Sequence, residues 1–115
     1  MITDQPETFL VSEIIREKIF LQTRNELPYS AAVTVEQMQE EPDRALLNIS
    51  AVIHVESQSQ KAIIVGHGGS KIKEIGTAAR IELEKIFKTK VFLDLFARVE
   101  KNWSRDTRAL RRLGY

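Results

Sequence analysis

The sequence predicts an α+β fold in one domain, and three observations carry that reading. Three runs, at 31–38, 47–55 and 91–99, alternate apolar and polar residues with the period of a strand. Two longer stretches, 4–24 and 70–88, repeat apolar residues every three or four positions, as a helix does. With 115 residues and 43% hydrophobic content, the chain can enclose one modest core.

Asp4, Pro6 and Glu7 form a helix start, with a cap, an early proline and an acid in the first turn. Val11, Ile14, Ile15 and Ile19 mark the buried stripe of an amphipathic helix to about Arg24, ended by Leu27-Pro28. In the next run Ala31, Val33 and Val35 lie on one side, Thr34 and Glu36 on the other. Glu40-Glu41-Pro42-Asp43 is a turn. Leu47, Ile49, Ala51, Ile53 and Val55 then alternate with Asn48, Ser50, His54 and Glu56, so the two strands form a hairpin with one buried face. Ser57 or Ser59 caps a short helix through Ala62 to Val65, and Ser70 stands where the next helix takes its N-cap. Ile72, Ile75, Ala79, Leu83 and Phe87 form that helix's stripe. Gly76 inside it costs about 1 kcal/mol relative to alanine, a cost that close packing of the short helix would offset. The third strand follows, with Phe92 and Phe96 on its nominally polar face, which points to a cover from the tail. Trp103-Ser104 opens a last, basic helix bearing Arg105, Arg108, Arg111 and Arg112, with Gly114 as its stop.

Several function classes drop out on composition. No run approaches the roughly 18 apolar residues of a membrane span, and the first seven residues are polar and carry two acids, unlike a signal peptide. Without cysteine there are no disulfides or thiolate metal sites, which suits a reducing cytoplasm. Two histidines make a metal site improbable, and no nucleophile–base pattern points to an enzyme. Charge is asymmetric. Residues 1–60 carry 4 basic and 10 acidic side chains, a net of −6; residues 61–115 carry 13 and 6, a net of +7. That basic half fits a polyanion partner.

Within it lies Ile63-Ile64-Val65-Gly66-His67-Gly68-Gly69-Ser70-Lys71-Ile72-Lys73, with three of the chain's five glycines in four positions. A glycine cluster opening into a helix can offer backbone N–H groups to an anion. A Walker A loop needs Lys-Ser/Thr directly after its last glycine, whereas Ser70 intervenes and Ile72 follows Lys71. A dinucleotide fingerprint needs glycine where Lys71 stands. What fits is Gly66-His67-Gly68-Gly69 as a G-x-x-G joint between two helices, the clamp of KH domains on four nucleotides. On those four residues alone a bare helix–helix turn without ligand is the favoured reading, so the surroundings have to decide.

The order helix–strand–strand–helix–GxxG–helix–strand–tail helix is that of a type II KH domain. The chain as a whole resembles the C-terminal KH domain of the bacterial Era GTPase family. The match is carried by Glu13-Ile14-Ile15-Arg16-Glu17-Lys18, Glu26-Leu27-Pro28-Tyr29-Ser30, Ile64 through Gly76, and Arg108-Ala109-Leu110-Arg111-Arg112-Leu113-Gly114-Tyr115. The resemblance implies a three-stranded mixed sheet with helices on one face and a C-terminal tail helix, over residues 1–115 as one domain. It also implies a non-catalytic, monomeric module binding the 3′ end of small-subunit rRNA in assembly of the 30S subunit. The family's N-terminal GTPase domain is not in these residues, so GTP and Mg²⁺, and any peripheral membrane association, belong to the parent protein. Carried over by position, Gly66, His67, Gly68, Gly69 and Ser70 would meet the RNA backbone, and Lys71 and Lys73 would supply charge. Ile64, Val65, Ile72 and Ile75 would floor the groove. The variable pair His67-Gly68 departs from the lysine or arginine common there. That departure is the best support for the alternative, a KH-shaped module contacting a partner protein.

Overall fold

A computed structural model describes residues 4–23 and 31–100 of the chain. The predicted stop at Leu27-Pro28 and the basic tail helix lie outside them. Six elements follow in order: α1 (Asp4–Thr23), β1 (Ala32–Glu41), β2 (Leu46–Val55), α2 (Gln58–Val65), α3 (Ser70–Phe87) and β3 (Lys90–Val99).

The strands form one mixed sheet in the order β1-β2-β3. The β1–β2 hairpin is antiparallel, closed by a short 3₁₀ turn at Pro42–Arg44 with Ala45 left-handed at φ 49°. β2 and β3 are parallel, from Leu46 opposite Lys90 to Val55 opposite Val99. A parallel neighbour requires a crossover, and α2 and α3 supply it.

The expected alternation in β1 holds only to Val35. The register then slips between Val35 and Gln37, leaving Glu36 as an extra residue. That bulge returns Met38, an even-numbered residue, to the side that packs on the core with Val33 and Val35.

The core lies between the sheet and the helices. Val11, Ile14, Ile15 and Ile19 of α1, and Ile75, Ala79 and Leu83 of α3, meet Leu47, Ile49, Ala51, Ile53 and Val55 of β2. Each fully buried isoleucine or leucine contributes about 1.5–3 kcal/mol relative to exposure. Lys18 Nζ also reaches Glu82 Oε1 at 2.5 Å between α1 and α3. α1 is less one-sided than its buried stripe suggests, because Phe9, Leu10, Phe20 and Leu21 lie exposed on its other flank.

His54 lies on the polar side of β2 as its alternation requires, yet it is only 2% exposed. Its Nδ1 is 2.8 Å from Glu100 Oε1 and its Nε2 2.8 Å from Thr34 Oγ1. The neutral ring donates from Nδ1 to the carboxylate, while Nε2 faces the Thr34 hydroxyl, which also stands 3.0 Å from Glu36 Oε2. Burial pushes the imidazole below its ordinary value, and the Glu100 hydrogen bond opposes that only in part. No group of three or more metal-ligating side chains forms among the described residues.

The joint between α2 and α3 is set by backbone conformation. Ser57, extended at φ −148° and ψ 162°, caps α2 by accepting the Gln60 N–H on its hydroxyl. After Val65, Gly66 takes φ 75° and ψ 175°, a region open to glycine alone. A Cβ there would lie 2.6 Å from Lys71 Cβ and 2.8 Å from Lys71 N. Gly68 (φ 61°) and Gly69 (φ 80°) are left-handed, but their missing Cβ atoms would face open space. Gly69, not Ser70, occupies the cap position of α3. A serine cap needs extended backbone, whereas Ser70 at φ −64° and ψ −39° is already helical.

Two outcomes are expected from this framework. Gly66→Ala combines a forbidden conformation with a collision against backbone, and should cost about 3 kcal/mol or more. Gly68→Ala meets only the left-handed penalty, about 1–2 kcal/mol; urea melts of both variants measure the difference. The second concerns pH. Because the folded state holds His54 below its unfolded value of 6.5, its contribution is complete above that pH. It is lost progressively as pH falls through the window below it. The melting temperature should therefore drop between pH 7.5 and 5.5, and His54→Gln should shrink that drop.

Candidate nucleic-acid interface

Among the described residues, two open cavities differ sharply in charge. The larger, about 680 Å³, lies where the N-terminal half of α1 meets the β1–β2 hairpin. Glu7, Glu36, Glu40 and Glu41 line it and no lysine or arginine does, so it repels a phosphate chain. The smaller, about 260 Å³, lies between α3 and β3 and is lined by Ile72, Lys73, Gly76, Thr77, Arg80, Leu93 and Leu95. Its lining begins in the first turn of α3, directly behind Gly69 and Ser70. Here the basic charge and the glycine joint coincide.

The groove follows from sequence spacing. Ile72, Gly76 and Arg80 recur every four residues and so align along one side of α3. Leu93 and Leu95 come from alternate positions of β3 and face the helices. Gly76 leaves the bottom of the groove without a side chain: a Cβ there would lie 3.6 Å from Leu95 Cδ1, an ordinary contact. The glycine thus faces β3 across the groove. The short helix α2 does not pack against it as the sequence suggested, since no α2 atom comes within 4 Å of that Cβ.

One carboxylate holds the walls in register. Glu84 Oε2 accepts the Val91 N–H at 3.0 Å and Arg80 Nη1 at 3.2 Å. The Val91 N–H is the main reason the Glu84 carboxyl lies below the usual carboxylate range, with Arg80 adding to it. Arg80 therefore enters the groove already oriented. Lys73, exposed and with no carboxylate partner among the described residues, adds an unspent charge.

The residues singled out from sequence separate into three groups. His67, Gly68 and Ser70 are exposed and Gly66 and Gly69 half-buried, so the G-x-x-G joint presents its backbone to solvent beside the groove. Three amides of the joint turn inward, with Gly66 N–H on Ala62 O, Gly69 N–H on Gly66 O and Ser70 N–H on His67 O. Ile72 and Lys73 line the groove, and Val65 is half-buried at the end of α2. Ile64 and Ile75, expected on the groove floor, are 0% exposed and belong to the core. Both point between helices and sheet, where a base has no access. Lys71 is absent from the lining; its ammonium donates to the Gln22 carbonyl at 3.2 Å and ties α3 to the end of α1.

Sequence reasoning missed Leu93, Leu95, Thr77 and Arg80. The helix residues could have been found by stepping every fourth position from Ile72 to Arg80 and from Lys73 to Thr77. The leucines could not, because a strand's alternation does not say which helix its inner face meets. Phe92 and Phe96, expected beneath the tail, are 57% and 53% exposed.

Comparison with known proteins agrees with this geometry. A family model described as "KH domain" matches residues 26–104. The GTPase Era of Syntrophus aciditrophicus is 56% identical over 115 residues, and that of Geobacter metallireducens is 54% identical. These cover 100% of this chain but only 38% and 39% of those proteins. Among solved structures, an Aquifex aeolicus Era variant bound to GDP.AlF4- superposes with a TM-score of 0.90 at 40% identity, covering 100% of this chain and 38% of that one. A second, Era in complex with MgGDPNP and nucleotides 1506–1542 of 16S ribosomal RNA, matches with the same TM-score, identity and coverage. The chain spans little more than a third of these relatives, and the part it spans is not the GTPase catalytic domain. With its α+β fold, its glycine joint and the groove behind it, this chain belongs to the KH domain family and is a KH domain of the Era type.

Proposed function

We propose that this chain binds single-stranded RNA in the groove between α3 and β3. Its target is the 3′ end of small-subunit rRNA, and its role lies in assembly of the 30S subunit in the cytoplasm, as a monomer. The observation that carries this reading is the placement of an open, basic groove directly behind the G-x-x-G joint. That an Era structure holds nucleotides of 16S ribosomal RNA supports the choice of RNA. None of the described helices is long and apolar enough to cross a membrane.

The division of labour follows from the geometry. The backbone of Gly66 to Gly69 and the start of α3 approach the phosphates, since no side chain beyond His67 and Ser70 stands in the way. Lys73 and Arg80 supply the charge, and Lys71 positions the joint through its bond to α1. Ile72, Leu93 and Leu95 offer apolar walls for base faces, with Val65 at the upper rim. The chain needs no cofactor for this; GTP and Mg²⁺ go with the remaining part of the longer relatives. A second reading, docking of a partner protein, is favoured only at α1, where Phe9, Leu10, Phe20 and Leu21 are exposed.

Replacing His67 and Gly68 together by aspartate tests the joint. Gly68 is left-handed, a conformation aspartate tolerates, and it faces open space, so the melt should fall by at most about 1–2 kcal/mol. Each carboxylate beside a phosphate costs on the order of 1 kcal/mol even at high dielectric. Affinity for a short oligonucleotide from the rRNA 3′ end should therefore fall at least tenfold in an anisotropy titration. Undiminished binding would leave the joint as a bare turn.

Gly76→Ala tests the groove itself. Removing glycine from a helix interior stabilises by up to about 1 kcal/mol, and the added methyl makes only an ordinary contact with Leu95. The melting temperature should rise while RNA affinity falls several-fold, because the methyl fills the groove floor. A rise in both would place the RNA elsewhere.

A further inference from the structure

We propose that the acidic cavity between α1 and the β1–β2 hairpin is a docking site for a partner protein, which enters it with a short apolar segment bearing lysine or arginine. This surface shares no lining residue with the groove and does not depend on the RNA-binding reading.

The cavity begins with the bulge in β1. Strict alternation from Val33 and Val35 would bring Gln37 and Gln39 to the helix side of the sheet. With Glu36 as the extra residue, Met38 and Glu40 take that side instead, opposite Ile49 and Leu47 of β2. An acid thereby stands on the apolar face of its strand. Val35, Met38, Leu47 and Phe87 floor the cavity, and the N-terminal half of α1 walls it with Glu7 and Thr8. Glu36 and Glu41 complete a rim of four carboxylates. The volume of about 680 Å³ falls within the roughly 300–1,000 Å³ of ligand sites. One turn along α1 from Glu7 stands Leu10, 38% exposed, an apolar neighbour for a segment that leaves the cavity.

Floor and rim together define the occupant. Glu36 and Glu41 already have partners, Thr34 for the first and Arg44 and Asn48 for the second. The carboxylates of Glu7 and Glu40 have none among the described residues. A purely apolar partner would strip water from these two and offer nothing in return. A nucleic acid would set phosphates against them. A second copy docked through the same cavity would set acid against acid, because a two-fold contact joins like to like. A basic segment with apolar side chains answers both parts. Its cations meet Glu7 and Glu40 while its apolar groups cover Met38, Leu47 and Phe87. One inward acid on an edge strand can serve merely to deter strand pairing. Four carboxylates from two elements, set around an apolar floor, exceed that need.

An NMR titration of the chain tests the inference, with a ten-residue peptide that carries four lysines around a central leucine–phenylalanine pair and serine elsewhere. Amide resonances of Val35 to Glu41 and of Phe87 should shift, with those of Lys73 and Arg80 unmoved. A twin peptide with glutamate for every lysine should not bind. The double variant Glu7→Gln, Glu40→Gln should weaken the lysine peptide at least fivefold with an unchanged melt. Glu74→Gln, which removes an exposed acid on α3, should leave the affinity as it was. A peptide with serine in place of the leucine–phenylalanine pair should bind about tenfold more weakly. No binding of the lysine peptide at millimolar concentration, or binding that the double variant leaves intact, overturns the proposal. If spermidine or the peptide without its apolar pair binds as tightly as the full peptide, the cavity takes small cations only and the docking reading falls. A self-association in sedimentation that the double variant abolishes, with no peptide bound, would make the occupant a second copy and overturn the reading as well.

Discussion

Pairing β3 parallel to β2 is the constraint from which the site arises. A parallel neighbour cannot be reached by a tight turn, so the chain must travel back along the sheet before β3 begins. It does so in two helices, and two helices in so short a crossover need a sharp joint. Gly66 provides it by adopting a conformation closed to other residues and by letting the backbone of Lys71 approach where a Cβ would sit. The turn brings the first residues of α3 to the surface at one end of the sheet. The parallel register sets Leu93 and Leu95 alongside that helix. The groove is therefore the gap left between a crossover helix and the strand it delivers.

Much of this was legible in the sequence because local patterns and tertiary roles agree. β2 alternates cleanly and is the central strand; α3 has a regular stripe and buries Ile75, Ala79 and Leu83; Ser57 caps α2 as its position suggests. What escaped was decided by longer-range geometry. The bulge at Glu36 turns Met38 inward, which an apolar residue out of phase announces only in retrospect. Ser70 carries the chemistry of a cap, but the left-handed Gly69 had already taken that position. Ile64 and Ile75 lie next to the glycine joint in sequence while pointing into the core. Proximity along the chain is a poor guide to which face of a helix meets solvent.

The charge asymmetry of the sequence also acquires a spatial form. Four acids of the first half line the cavity at the hairpin end, where Glu41 also takes hydrogen bonds from Arg44 and Asn48. Among the described residues, most cations of the second half lie on α3 and β3. The lining of the cavity is thus acidic and that of the groove basic, within one small domain.

Gly76 shows how the fold divides stability from binding. An alanine would suit the helix better and would meet Leu95 at an ordinary distance, so packing does not demand glycine here. At Gly66 it does, because backbone lies where the Cβ would be. Two glycines ten residues apart therefore have different causes. One is required for the chain to fold around its crossover, while the other keeps empty a space that folding alone would fill. A helix that forgoes about 1 kcal/mol to leave a basic groove open is organised around what enters it.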